Sequence, residues 1–370
     1  MSYHRIVAKF GTSLLTSGTD HLDLQVMSSL VEQIARLHRQ GKEMVIISSG
    51  AIAAGRQKLR KVQERKGTPF KQVLASVGQG HVMHTYEELF SQHGITIAQA
   101  LLTKADMSDR SGYLNARNTL LALIELGVIC IVNENDVVAI DEIQELKFGD
   151  NDNLSAMVAN LVDADLLMLL TDIGGLYTAD PHCSPEAQLI HQVDRIDAEI
   201  ERLASTTASR QGIGGMVTKI EAAKLATSSG VDLIIANGRE PDVLVRIDNG
   251  EDLGTLFPAQ VSKVESRKRW MLSGLASRGK VVVDKGAALA LKKQNGSLLP
   301  AGVIKVDGDF QRGDITDILS DKGKQIGCGI SNYSSADIAV IKGMHSDRIL
   351  SFLGHEYGDE VIHRNNMVVL

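Results

Sequence analysis

Three cysteines are all that the 370 residues carry. Cys130, Cys183 and Cys328 lie far apart, are odd in number and match no metal-ligand spacing, so neither a disulfide framework nor a zinc site organises the chain. They read as reduced thiols of a cytoplasmic protein. No run approaches the ~20 consecutive apolar residues that cross a bilayer. The first eleven residues run into a short β-like segment, so neither a membrane span nor a signal peptide is expected. A basic excess is missing too: 39 Lys and Arg against 45 Asp and Glu leave a net charge of −6, which speaks against bulk nucleic-acid binding. The histidines at 81, 84, 93 and 191 lack ligand spacing and are expected at the surface or internally satisfied. Two nucleotide signatures are also absent, the P-loop and a Gly-x-Gly-x-x-Gly after the first strand.

What remains is ordinary globular material, 44% hydrophobic and 23% charged, long enough for two domains. Over the first 260 residues, apolar β-rich runs alternate with helical patterns. The runs are Ile6 to Ala8, Met44 to Ile47, Ile95 to Ile97, Val128 to Val132, Leu166 to Leu170 and Val231 to Ile235. Continuous apolar strands separated by helices predict an α/β fold, a mostly parallel sheet covered on both faces. Ligands in such sheets sit beyond the carboxyl ends of the strands.

The polar residues gather at those ends. Lys9 precedes Gly11-Thr12-Ser13, and a lysine near the end of a buried strand is costly unless it meets an anion. Ser48-Ser49-Gly50-Ala51-Ile52-Ala53-Ala54-Gly55 makes a small-residue turn into a helix. Asn133-Glu134-Asn135-Asp136 joins carboxylates and amides suited to an ammonium group. Asp150-Asn151-Asp152-Asn153 follows Gly149 and opens a helical pattern. Its simplest role is a helix cap; a calcium loop is excluded because no glutamate closes it at the twelfth position. Thr171-Asp172 ends the fifth run. Gly212 to Lys219 is a glycine-rich loop with a lysine in the first helical turn, where the macrodipole disfavours cations unless an anion is bound.

Taken together, Val7 to Ser13, Ser48 to Gly55, Asn133 to Asp136, Gly149 to Ser155 and Gly214 to Lys219 closely resemble the glutamate 5-kinases, a branch of the amino-acid kinases. The resemblance continues through Arg267-Lys268-Arg269-Trp270 and covers essentially the full chain. It implies a doubly wound sandwich that phosphorylates the side-chain carboxylate of L-glutamate with ATP and Mg2+, the first step of proline biosynthesis. By motif, Lys9 and Lys219 would hold the phosphates and Asp152 would position both lysines. Ser49, Gly50, Asp136 and Asn151 would bind glutamate. Lys9, Gly11, Thr171, Asp172 and the loop Ile213, Gly214, Gly215, Met216, Val217, Thr218 and Lys219 would bind ATP. Ile213 departs from the family pattern, placing an apolar side chain where many relatives carry threonine. No dedicated protein metal site is implied, since magnesium leans on substrate phosphates. The resemblance also implies feedback inhibition by L-proline and a homodimer or homotetramer. Rival readings are a kinase of N-acetylglutamate or aspartate, and an RNA-binding regulator.

From about Arg278 the texture changes to short β-like pieces with frequent glycine, at Val281 to Val283, Val303 to Val306, Asp314 to Ile318 and Ile326 to Ile330. They predict a small mixed β-barrel, and Ser297 to Val303 with Arg312-Gly313-Asp314 resembles a PUA domain. Residues 278–370 hold 12 Lys and Arg against 11 Asp and Glu. That balance lacks the basic footprint of RNA binding and favours a regulatory or assembly role. The expected boundaries are a kinase domain over 1–261, a basic linker over 262–277 and a PUA-like domain over 278–370.

Overall fold

The computed structural model describes residues 3–59, 67–139, 151–181, 183–206, 215–263, 277–293 and 296–370. Residues 147–150, Ile213, Gly214 and positions 264–276 of the expected linker lie outside the described residues. The chain forms two compact units, Met1–Ser108 with Asn115–Lys263, and Asp109–Leu114 with Val264–Leu370.

The first unit is built on a seven-stranded sheet. Its strands are β1 (Arg5–Phe10), β2 (Glu43–Ile47), β3 (Ile97–Leu102), β4 (Ile129–Glu134), β5 (Leu166–Thr171), β6 (Asp232–Asn237) and β7 (Thr255–Phe257). The spatial order is β3-β4-β2-β1-β5-β6-β7. All neighbours are parallel except β6 and β7. The third strand begins where the sequence pattern has it end. Ile95 donates its N–H to the carbonyl of Phe90 and so finishes the preceding helix, leaving Ile97 to start the ladder. β7 is too short to show a period and escapes sequence reading.

Both faces of the sheet are covered. Ile6, Ala8 and Phe10 of β1 join Met44 and Ile46 of β2 and Leu166, Met168 and Leu170 of β5 in one core. That core is closed by Met27, Leu30 and Ile34 of the helix Leu24–Arg39 and by Val82, Tyr86 and Phe90 of the helix Thr68–Ser91. Side chains alternate across a strand, so Val7, Val45, Leu167 and Leu169, all fully buried, face the other way. There the helix Asn151–Leu161 packs on β1, β4 and β5, and the helix Met216–Ser228 on β6. Lys9 shares the parity of Val7, which is why its side chain rises toward the head of the helix Asn151–Leu161. Successive strands run to one side of β1 as β2, β4 and β3 and to the other as β5 and β6. The carboxyl end of β1 is therefore the switch point where such sheets open a crevice.

The second unit holds a mixed five-stranded sheet in the order β12-β11-β10-β8-β9, formed by β8 (Gly279–Val283), β9 (Val303–Gly308), β10 (Ile315–Ser320), β11 (Gln325–Ile330) and β12 (Met367–Val369). Only β8 and β10 are parallel. Val281, Ile318, Phe310 and Tyr333 centre its core. The helix Ser335–Ile341 starts on a capping box between Ser334 and Asp337.

Candidate active site

Two adjacent residues at the head of the helix Asn151–Leu161 reach in different directions. Asp152 is fully buried. Its Oδ1 lies 2.6 Å from Lys9 Nζ, and its Oδ2 lies 3.2 Å from Lys219 Nζ. Thr218 Oγ1 lies 2.9 Å from the same Oδ2 and 2.8 Å from Gly215 O, its one proton shared between the two. Both lysines are nearly as buried, at 4% and 5% exposure, where an ammonium persists only if paired. Asp152 thus joins β1 to the head of the helix Met216–Ser228 and sets the spacing of two cations. Gly11 follows directly, with its N–H on the Leu170 carbonyl at 3.0 Å. A Cβ there would make ordinary contacts with the Leu170 carbonyl and Lys9 Nζ, at 3.5 and 3.9 Å.

Asn151 turns toward β2 and β4. Its Nδ2 lies 2.7 Å from Ser48 O, 2.9 Å from Asn133 Oδ1 and 3.0 Å from Ser49 Oγ, so its two hydrogens are shared among three acceptors. Asn133 Nδ2 in turn donates to Gln79 Oε1 at 2.8 Å. One amide therefore gathers the ends of β2 and β4. Gly50 caps the next helix with φ +88°, a left-handed conformation that glycine adopts freely. Asp136 follows β4 in a turn, and burial pushes its carboxyl up from the usual carboxylate range to about 6.

The sequence-based site residues fall into place as follows. Lys9, Asp152, Thr218 and Lys219 are directly linked, and so are Ser49 and Asn151. Thr171 and Asp172 stand at the end of β5 and bond to each other, Thr171 Oγ1 donating to Asp172 Oδ1 at 2.9 Å. Gly215 caps the helix Met216–Ser228; Met216 is buried in the core and Val217 is exposed.

Sequence reading missed three features. Thr218, expected in the ATP loop, also sets its hydroxyl against Asp152 Oδ2, a link that no motif marked. Gln79 lies on a helix that no motif marked. Gly55, expected as part of a small-residue turn, serves a helix crossing: a Cβ at Gly55 would overlap the Leu74 carbonyl, and one at Gly78 the Ala51 carbonyl. That crossing between the helices Ala51–Lys58 and Thr68–Ser91 carries Gln79 to Asn133. Its only local traces are Ala51 and Gly55, four positions apart on the first helix, and the single Gly78 between Leu74 and Val82 on the second.

Two buried lysines on one carboxylate, at the switch point of a mostly parallel sheet, mark the candidate site of an α/β protein. The family model described as "Amino acid kinase family" matches residues 4–237, and a PUA domain model matches residues 279–353. The chain belongs to the amino acid kinase family. Within that family it is similar along its whole length to glutamate 5-kinases. It is 60% identical over 368 residues to that of Dehalococcoides mccartyi, covering 100% of this chain and 99% of the relative. It is 49% identical over 364 residues to that of Herpetosiphon aurantiacus, covering 98% of each. It is 48% identical over 370 residues to that of Shewanella oneidensis, covering 100% and 99%.

Proposed function

We propose that the protein transfers the γ-phosphoryl group of ATP to the γ-carboxylate of L-glutamate, forming L-glutamyl 5-phosphate, the first step of proline biosynthesis. The observation that carries this reading is the buried Lys9–Asp152–Lys219 bridge. A carboxylate oxygen attacks the γ-phosphorus while the bond to the β,γ-bridging oxygen breaks and ADP leaves. The nucleophile has a solution pKa of ~4.3 and is already ionised at neutral pH, so no general base is required. The difficulty is bringing two anions together, and positioned cations are the remedy. Lys9 and Lys219 would hold the transferring group, with Gly11, Thr171, Asp172 and the 213–219 loop around the nucleotide. Asn151, Ser49, Gly50 and Asp136 would hold the amino acid.

Magnesium would add charge on the β- and γ-phosphates. Both oxygens of Asp152 are engaged by the lysines and Thr218, so the metal would rest mainly on phosphate and water. L-proline, which shares the α-carboxylate and a cationic nitrogen with glutamate, would compete at the amide side of the site. The enzyme would work in the cytoplasm as a homodimer or homotetramer, with the PUA domain in an assembly or regulatory role. Among the described residues no helix is long and apolar enough to cross a membrane.

The reaction is tested by trapping the acyl phosphate with hydroxylamine in the presence of Mg-ATP, comparing L-glutamate, L-aspartate and N-acetylglutamate. Hydroxamate from L-glutamate alone is expected. Hydroxamate from N-acetylglutamate instead would move the reading to that kinase, and none from any carboxylate would remove the kinase reading. Saturating proline that leaves turnover unchanged at limiting glutamate would remove the feedback proposal. A particle mass of 40.0 kDa by light scattering would remove the oligomer.

A further inference from the structure

The amides on the β2–β4 side of the site form a chain whose direction is fixed. Ser48 presents a carbonyl oxygen, which only accepts, so the Asn151 atom 2.7 Å from it must be the Nδ2 donor. The same nitrogen faces Asn133 Oδ1. That orientation leaves Asn133 Nδ2 to donate to Gln79 Oε1. Every amide in the chain then has a committed end, and two ends remain. Asn151 Oδ1 is an acceptor and Gln79 Nε2 is a donor. Both are buried without a hydrogen-bond partner among the described residues, a condition that destabilises a protein until something meets it.

A zwitterionic amino acid supplies the complement, since its ammonium donates and its carboxylate accepts. We propose that Gln79 is a specificity-determining residue of the kinase site, donating from Nε2 to the α-carboxylate of L-glutamate while Asn151 Oδ1 accepts from the α-ammonium. The inference rests on the glutamate reading above and deepens it. Position supports the assignment. Asp152 turns to Lys9 and Lys219, where the γ-carboxylate must meet the phosphoryl group. Asn151, one residue earlier, turns the opposite way and serves the far end of the substrate. The crossing at Gly55 and Gly78 also acquires a purpose, because only so close an approach brings Gln79 to Asn133.

The rival role is purely structural, Gln79 propping Asn133. Gln79→Glu separates the two, because the variant keeps an oxygen for Asn133 and replaces the donor. Gln79→Met removes the donor without adding charge. The measurement is the dissociation constant, by titration calorimetry on the full chain, for L-glutamate, glutarate and 4-aminobutyrate, with ATP affinity and melting temperature alongside. Glutarate keeps the carboxylate in question and lacks the ammonium; 4-aminobutyrate lacks that carboxylate. Both variants are expected to weaken L-glutamate and glutarate about tenfold or more, as for a lost hydrogen bond to a charged group. They should leave 4-aminobutyrate within about twofold and ATP unchanged. Unchanged L-glutamate affinity in either variant overturns the proposal, as does equal weakening of all three ligands. Failure of the unsubstituted protein to bind L-glutamate would instead sink the substrate reading itself.

Discussion

The half-site on Asp152 and the half-site on Asn151 start one residue apart and are built from opposite materials. On the Asp152 side, two ammonium groups and a hydroxyl converge on one fully buried carboxylate. On the Asn151 side, neutral amides pass hydrogen bonds from β2 through β4 to Gln79. Charge is strong, long-ranged and poor at telling one anion from another, which suits phosphate. Amides are weaker and directional, which suits reading which polar groups a substrate carries and where. The β1 switch point lets one helix start serve both, because the strands diverge to either side of it.

The comparison is broken most severely by Asp152→Ala. Two buried ammonium groups would lose their shared partner, and losing one member of a buried ion pair costs about 3–5 kcal/mol. Thermal unfolding should shift down by several degrees and acyl-phosphate formation should stop; a variant with unchanged melting would contradict the bridge. Lys219→Met is expected to lower kcat by about 10²–10³-fold, the scale of losing one preorganised electrostatic contact, with KM for L-glutamate nearly unchanged. Asn151→Ala should do the reverse, raising KM for L-glutamate about tenfold or more with a smaller effect on KM for ATP. Steady-state kinetics with each substrate varied in turn distinguishes the two.

Acidity sharpens the contrast further. The free-enzyme carboxyl of Asp136 is raised to about 6 by burial, so it is neutral below that pH and ionised above it. Only the ionised form attracts an ammonium. As pH falls through about 6, kcat/KM for L-glutamate should therefore fall, whereas ATP binding on the lysine side should not follow the same curve. Asp136→Asn should flatten this acid limb; a limb that persists in the variant assigns it to another group. The smallest effect is expected from Thr218→Val, which removes a hydroxyl from Asp152 Oδ2 and should cost about 1 kcal/mol, read as a modest loss in melting temperature and a few-fold loss in kcat.

The two halves also differ in how far sequence reveals them. Lys9 and Lys219 were legible because a charge at a buried strand end or a cation at a helix start is costly without a partner, and that misfit is local; Asp152, which from its residues alone read as a helix cap, was tied to the lysines only by the family resemblance. Five of the six parallel strands were legible for a similar reason, each lying in an apolar run between helical patterns; the third, Ile97–Leu102, shares only Ile97 with the run expected for it. The amide chain was half legible: Asn151 and Asn133 sit in polar clusters, but Gln79 depends on a contact 54 residues away in sequence and on two glycines that matter only where two helices cross. β7 and β12, three residues each, are defined by the neighbours they pair with rather than by any pattern of their own.

Titration calorimetry of L-glutamate and of ATP, each into Asn151→Ala and Lys219→Met, tests the division of labour most directly. Asn151→Ala should weaken L-glutamate about tenfold or more and leave ATP within about threefold, while Lys219→Met should weaken ATP and leave L-glutamate within about threefold. Equal losses of both ligands in either variant would contradict it, and the two half-sites would then be one.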